Sequence, residues 1–169
     1  MSFVANSRSE QAYWDSRYAE WWDRPYHGMR QDTAGDVALE KQRIRWHLES
    51  ILRPHHRVLD AACGYGRLAP IICPLVSEYV GVDFSARAIG EARANAPENA
   101  RYIVGDIANV ELGERFDVVV MVGVWSSIAD NASDVLCELR STLTGDGVIV
   151  IFEDGEDRIV NKDGDEWAI

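Results

Sequence analysis

The chain predicts an α/β fold, a doubly wound and mostly parallel sheet, from two features that begin at Arg57. Short β-branched runs alternate with helical patterns, the order that crossover connections impose on parallel strands. Runs such as DVVVMV and GVIVIF are apolar almost throughout, as strands covered on both faces must be. Strands are expected at 57–61, 79–83, 101–104, 116–122 and 148–153.

Each helix has its own signals. Residues 36–52 place Val37, Ile44, Leu48, Ile51 and Leu52 on one apolar stripe. Ser85 can cap a helix through Ala94, and Asp130 or Asn131 can cap one reaching Leu143. In the latter, Val135, Leu136, Leu139 and Leu143 share a face, and Gly145 and Gly147 are expected to end it and open the last strand. Pro70 fits a first helical turn, whereas Pro74 should kink or shorten the helix holding both. No repeat or linker marks a second domain, so 1–169 is read as one.

Charge narrows the partners. Of the net charge of −11, residues 1–57 carry 9 Lys+Arg against 8 Asp+Glu, leaving 8 against 20 for 58–169. So acidic a core lacks the basic footprint of a nucleic-acid binder and disfavours an anionic membrane surface. The longest apolar run, VVVMVGVW, is too short to span a bilayer as a helix. The polar N-terminus has no signal-peptide layout, and a cytoplasmic location is expected. Cys63, Cys73 and Cys137 form no CxxC pair and read as small buried hydrophobes; no metal site is expected.

The stretch VLDAACGYGRLAP is a strand that ends in an acid and runs into a glycine turn. Glycine allows close backbone approach to a ligand, and Gly64 to Ala69 even fits GxGxxA, so a nicotinamide dinucleotide is compatible with this stretch alone. Asp60 argues otherwise, because a carboxylate facing a pyrophosphate repels it but suits a ligand carrying ammonium and sulfonium charge. Asp60, Asp83 and Asp106 stand at successive strand ends and should converge on the crevice at the carboxyl edge of the sheet.

The ordered series VLDAACGYG, YVGVDFS, YIVGDI, FDVVVMVGVWSSIAD and LTGDGVIVIFE, over about 57–153, resembles the motifs of class I S-adenosylmethionine-dependent methyltransferases. The resemblance implies a Rossmann-like sheet that binds S-adenosyl-L-methionine and yields S-adenosyl-L-homocysteine. By position, Ala62, Gly64 and Gly66 would pass the methionine part and Asp60 would organise its ammonium end. Asp83 would accept the ribose hydroxyls, and Phe84 would flank the adenine or serve as plain core. Asp106 would take the adenine amino group or cap a helix, and the amide of Ile107 would meet a ring nitrogen. Val122 and Gly123 would line the methionine side.

The resemblance also implies a helical N-terminal lid at 1–56, a cofactor-binding core at 57–153 and a short extension at 154–169. Tyr26 and His27 are acceptor-side candidates on that lid, and Tyr13 and Tyr18 candidates for the cofactor carboxylate. His47, His55 and His56 are read as surface or packing, away from the strand carboxyl ends. Ser126 and Ser127 stand where many members carry histidines, leaving no imidazole base there, and Trp125 either lines the acceptor mouth or packs in the core. Members usually continue into a helix and a hairpin after the fifth strand, but here 16 residues follow Glu153. RIVNKDGDEWAI offers a small hairpin; if it leaves the fifth strand bare, a homodimer at that edge or a truncated chain is expected. The reading is methyl transfer to a small-molecule acceptor on oxygen or nitrogen. The alternative is a cofactor-binding subunit without its own turnover.

Overall fold

The computed structural model describes residues 12–14, 16, 34–153 and 157–169. Helix α1 (Ala34–Ile51) leads into β1 (Arg57–Ala61), α2 (Ala69–Ile72), β2 (Glu78–Asp83), α3 (Ala86–Ala94) and β3 (Ala100–Val104). Then follow β4 (Phe116–Val122), α4 (Trp125–Ile128), α5 (Ala132–Ser141), β5 (Leu143–Phe152), β6 (Arg158–Asn161) and β7 (Glu166–Ala168). The sheet order is β3-β2-β1-β4-β5-β6-β7. β1 to β5 are parallel, and β6 and β7 run antiparallel to their neighbours. Strand order reverses between β1 and β4, which puts the ligand crevice of such a sheet at their carboxyl ends.

Alternation along the strands builds two cores. Val58, Tyr79, Val118, Val120 and Phe152 point to one face, where Ile44 and Leu48 of α1 and Ile89 of α3 cover them. Leu59, Val80, Val119, Ile149 and Ile151 point to the other, under Val135 and Leu139 of α5. Ile44 and Leu48 are fully buried, so the α1 stripe forms as its spacing predicts, and each such side chain contributes about 1.5–3 kcal/mol.

The prolines act as expected. α2 has only four residues, with Pro70 in its first turn, and Pro74 sits in the 3₁₀ turn Cys73–Leu75 that replaces its continuation. Three expectations are corrected. The helix expected to reach Leu143 stops at Ser141, and Gly145 and Gly147 lie inside β5 instead of opening it. β5 starts early because Leu143 pairs with Phe116, and a Cβ on Gly147 would meet the Phe116 carbonyl at 3.0 Å. Cys137 is exposed, while Cys63 and Cys73 are buried.

The C-terminal hairpin turns at Gly164, whose φ of +95° needs glycine, and lays β6 along the outer edge of β5 from Val148 to Ile151. The fifth strand is therefore paired within the chain, and the bare-edge argument for a homodimer falls. On this side the sheet ends at β7, three exposed residues long, and on the other at β3.

At the amino ends of the strands, Arg57 and Arg101 both pair with Glu78, at 2.7 and 3.0 Å, and both with Glu114. The Arg57 hydrogen bond holds the Glu78 carboxyl below its usual range. A shallow cleft of about 390 Å³ beside this network lies on the edge opposite the switch point.

Tyr102 of β3 lies across the sheet beneath the glycine turn. A Cβ on Gly81 would come within 2.6 Å of Tyr102 Cδ1 and 2.8 Å of Cys63 Sγ, and one on Gly66 within 2.6 Å of Tyr102 Oη. Gly81→Ala should therefore lower unfolding stability by about 1–3 kcal/mol through overpacking, read as a shift in urea midpoint at constant slope. A midpoint within error of the parent would show that Tyr102 yields freely.

Candidate active site

β1 ends in a tightly folded turn. Ala62, Gly64 and Gly66 have φ of 63°, 55° and 78°, three left-handed residues within five positions. Glycine takes this region freely, but at Ala62 it costs about 1–2 kcal/mol. Two anchors hold the turn. The Cys63 amide donates to the Val82 carbonyl at 2.9 Å. The Gly64 amide donates to Asp83 Oδ2, also at 2.9 Å. Arg67, just behind, forms an ion pair at 3.0 Å with Glu40 of α1.

The three acids differ in environment. Asp83 is buried and accepts from both the Gly64 amide and, at 2.8 Å, the Ser85 amide, so its carboxylate is oriented by two neighbouring βα turns. Ser85 caps α3 as its position predicts, accepting from the Ala88 amide at 3.2 Å. Asp106 is half-buried and forms a local turn, accepting from the Ala108 amide at 2.9 Å; no helix follows it, so its alternative reading as a helix cap does not hold. Asp60 lies inside the α1 side of the core, where the Tyr79 hydroxyl donates to Oδ2 at 2.5 Å. Burial pushes its carboxyl up to about 7, against the Tyr79 hydrogen bond and the Arg67 charge, with Asp83 adding to the rise.

The other residues singled out in the sequence gather at the same edge. Phe84 is half-buried next to Asp83, and Ile107 is buried in the second core. Val122 ends β4 opposite Phe152, and the Gly123 amide donates to the Phe152 carbonyl at 3.0 Å. Gly123 has φ of +67°, and among the described residues nothing lies within 4 Å of its missing Cβ. Tyr18, Tyr26 and His27 lie outside the described residues. Tyr13 is exposed with its ring 5.3 Å from that of Trp14.

Some residues at this edge carry no local signal in the sequence. Glu153, directly after β5, accepts from the Trp125 amide at 2.6 Å. Asp157 is buried and pairs with Arg43 of α1 at 3.1 Å. The reading of His47 as remote from the carboxyl ends is overturned: its ring lies 6.0 Å from that of Phe152, and Nε2 lies 3.9 Å from Asp157. Trp125 packs against the second core with the Arg158 guanidinium 5.1 Å above its ring.

The arrangement suits a cation bearing hydroxyls better than a pyrophosphate. Phosphate turns place their anion on the amino end of a full helix, whereas α2 has one turn and a proline without N–H at its start. Asp83 and Asp106 stand at the ends of β2 and β3, whereas Asp60, expected to join them in the crevice, is turned into the core against Tyr79, and the nearby Arg67 is already paired with Glu40. Asp83, fixed before any ligand arrives, is an acceptor for vicinal hydroxyls, so the residues fit S-adenosylmethionine.

Because the folded carboxyl of Asp60 holds its proton up to about 7, against 3.8 ordinarily, the folded state binds more protons between these values. Its stabilising term is full below about pH 4 and lost as pH rises through 7. Relative to Asp60→Asn, the parent should thus lose on the order of a few kcal/mol between pH 4 and 7, then level off, in urea unfolding across that range. A pH-independent difference between the two proteins would contradict this.

The sequence profile of the family described as "Methyltransferase domain" matches residues 58–147. The ubiquinone biosynthesis O-methyltransferase of Azorhizobium caulinodans is 33% identical over 144 residues, 77% of this chain and 57% of that protein. That of Cereibacter sphaeroides is 32% identical over 156 residues, 84% of this chain and 62% of that one. This chain thus spans less than two thirds of these relatives' length. Among solved structures, magnesium protoporphyrin IX methyltransferase from Synechocystis PCC 6803 with bound SAM superposes with a TM-score of 0.68 at 22% identity, covering 85% of this chain and 74% of that one. Sequence profile, relatives and sheet agree: the chain belongs to the methyltransferase-domain family, with the Rossmann-like fold of class I S-adenosylmethionine-dependent methyltransferases.

Proposed function

We propose that this chain binds S-adenosylmethionine at the carboxyl ends of β1 to β3 and transfers its methyl group to a hydroxyl of a small molecule. The observation that carries the reading is the Asp83 carboxylate held by the Gly64 and Ser85 amides at the switch point, within a chain of methyltransferase relatives. Oxygen is preferred over nitrogen as the acceptor atom because the relatives matched over most of this chain are O-methyltransferases.

When bound, the cofactor would supply a sulfonium methyl already activated for displacement. The residues then have chiefly to bind, orient and exclude water, which is where in-line transfer gains its rate. Asp83 would accept the ribose hydroxyls, with Phe84 against the adenine and Asp106 and the Ile107 amide on its polar edge. The left-handed turn at Ala62, Gly64 and Gly66 would let the backbone approach the methionine part. Asp60 would face its ammonium group from beneath, and Val122 and Gly123 would line the methionine side. A hydroxyl acceptor sheds a proton on methylation, and as the helix start at Trp125 and Ser127 brings no imidazole, that proton would pass to solvent water.

Calorimetry should show S-adenosylhomocysteine binding and NAD failing to bind. Asp83→Asn should weaken the former about tenfold to a hundredfold, the loss of about 1.5–3 kcal/mol for hydrogen bonds to a charged group. NAD binding in preference, or an unaltered affinity in a folded Asp83→Asn variant, would overturn the assignment. Turnover of methyl-labelled cofactor with a panel of small phenols and catechols tests the acceptor. Binding without turnover across such a panel would point to the subunit role instead.

A further inference from the structure

Beyond the cofactor side, a second set of linked residues runs along the carboxyl edge between α1 and α4. Asp157 Oδ2 pairs with Arg43 at 3.1 Å, while its Oδ1 accepts from the Glu153 amide at 3.4 Å. Glu153 in turn accepts from the Trp125 amide at 2.6 Å through Oε1. Trp125 is the first residue of α4, whose opening amides have no partner within the helix, so Glu153 supplies the cap from another strand end. The residue after Asp157 is Arg158, whose guanidinium covers the Trp125 ring, so adjacent residues control both the backbone and the indole of one tryptophan.

We infer that Asp157 is a positioning residue for the acceptor-side lip of the site: held by Arg43, it fixes the Glu153 backbone so that the Glu153 carboxylate anchors α4 at Trp125. A carboxylate with its side chain 4% exposed is costly unless paired, and Arg43, 39% exposed, meets that cost from the solvent side. The arrangement does not pass through Asp83 or the glycine turn. It therefore separates the lip after β4 from the cofactor side of the switch point. The consequence for methyl transfer rests on the function proposed above; the linkage itself does not.

Native-state amide exchange of the full chain, followed by NMR, tests it through two amides held by carboxylates. One is Trp125, on Glu153; the other is Gly64, on Asp83. In Asp157→Ala the Trp125 amide should exchange at least about tenfold faster, while the Gly64 amide stays within about twofold of the parent. S-adenosylhomocysteine affinity should likewise stay within about threefold. Arg43→Gln should give a smaller acceleration confined to Trp125, and it carries the test alone if Asp157→Ala does not fold. An unchanged Trp125 rate would overturn the inference, and so would equal acceleration of both amides, which would mark Asp157 as a general stability residue. Should the parent fail to bind S-adenosylhomocysteine, the cofactor reading falls while the exchange comparison still decides the linkage.

Discussion

A single carboxylate, that of Asp83, joins two turns that are far apart in sequence. Its two oxygens take the amides of Gly64 and Ser85, so the loop leaving β1 and the loop leaving β2 are set against each other before any ligand is present. Hydrogen bonds to a buried charge are among the stronger ones, and breaking either would leave that charge under-satisfied. The left-handed backbone at Ala62 and Gly64 is held in place by this tie. The side chain proposed to recognise the ligand is therefore the one that sets the geometry of both loops.

Helix α1 extends that logic across the switch point. Its buried stripe seals one core, while Glu40 reaches Arg67 behind the glycine turn and Arg43 reaches Asp157 beyond the end of β5. The spacing of three puts Glu40 and Arg43 on one face of the helix. A shift of α1 would be felt at both halves of the edge. The segment ahead of the sheet is thus part of the site's frame as well as a cover for its core.

Much of this was legible from local pattern. The five parallel strands announce themselves because a strand covered on both faces must be apolar throughout, and the acids at 60, 83 and 106 fall where such strands end. Pro74 truncates α2 for a reason contained in its own ring. What the sequence hid depends on distance. Gly145 and Gly147 look like helix terminators, yet they sit in β5 because Gly147 packs on a carbonyl of β4. Gly81 reads as an ordinary strand residue until Tyr102 is seen to fill the space of its missing side chain. Asp157 lies among acidic neighbours with nothing to single it out, and only the approach of α1 shows it to be buried and paired. His47 was misplaced for the same reason: the path of its helix across the sheet end is tertiary information.

The arginines at the amino edge shape the other edge as well. Arg57 and Arg101 are neutralised where they stand by Glu78 and Glu114, and at the carboxyl edge Arg67, Arg43 and Arg158 are likewise paired with Glu40, Asp157 and Glu166, so Asp83, Asp106 and Glu153 add net negative charge at the crevice. Such a field draws in cations and is screened by salt. Under the proposed function, a molecule that enters carrying a sulfonium charge and leaves without it would be attracted on arrival and released from that attraction by its own reaction. An acidic crevice of this kind would favour uptake of the charged form and escape of the neutral one.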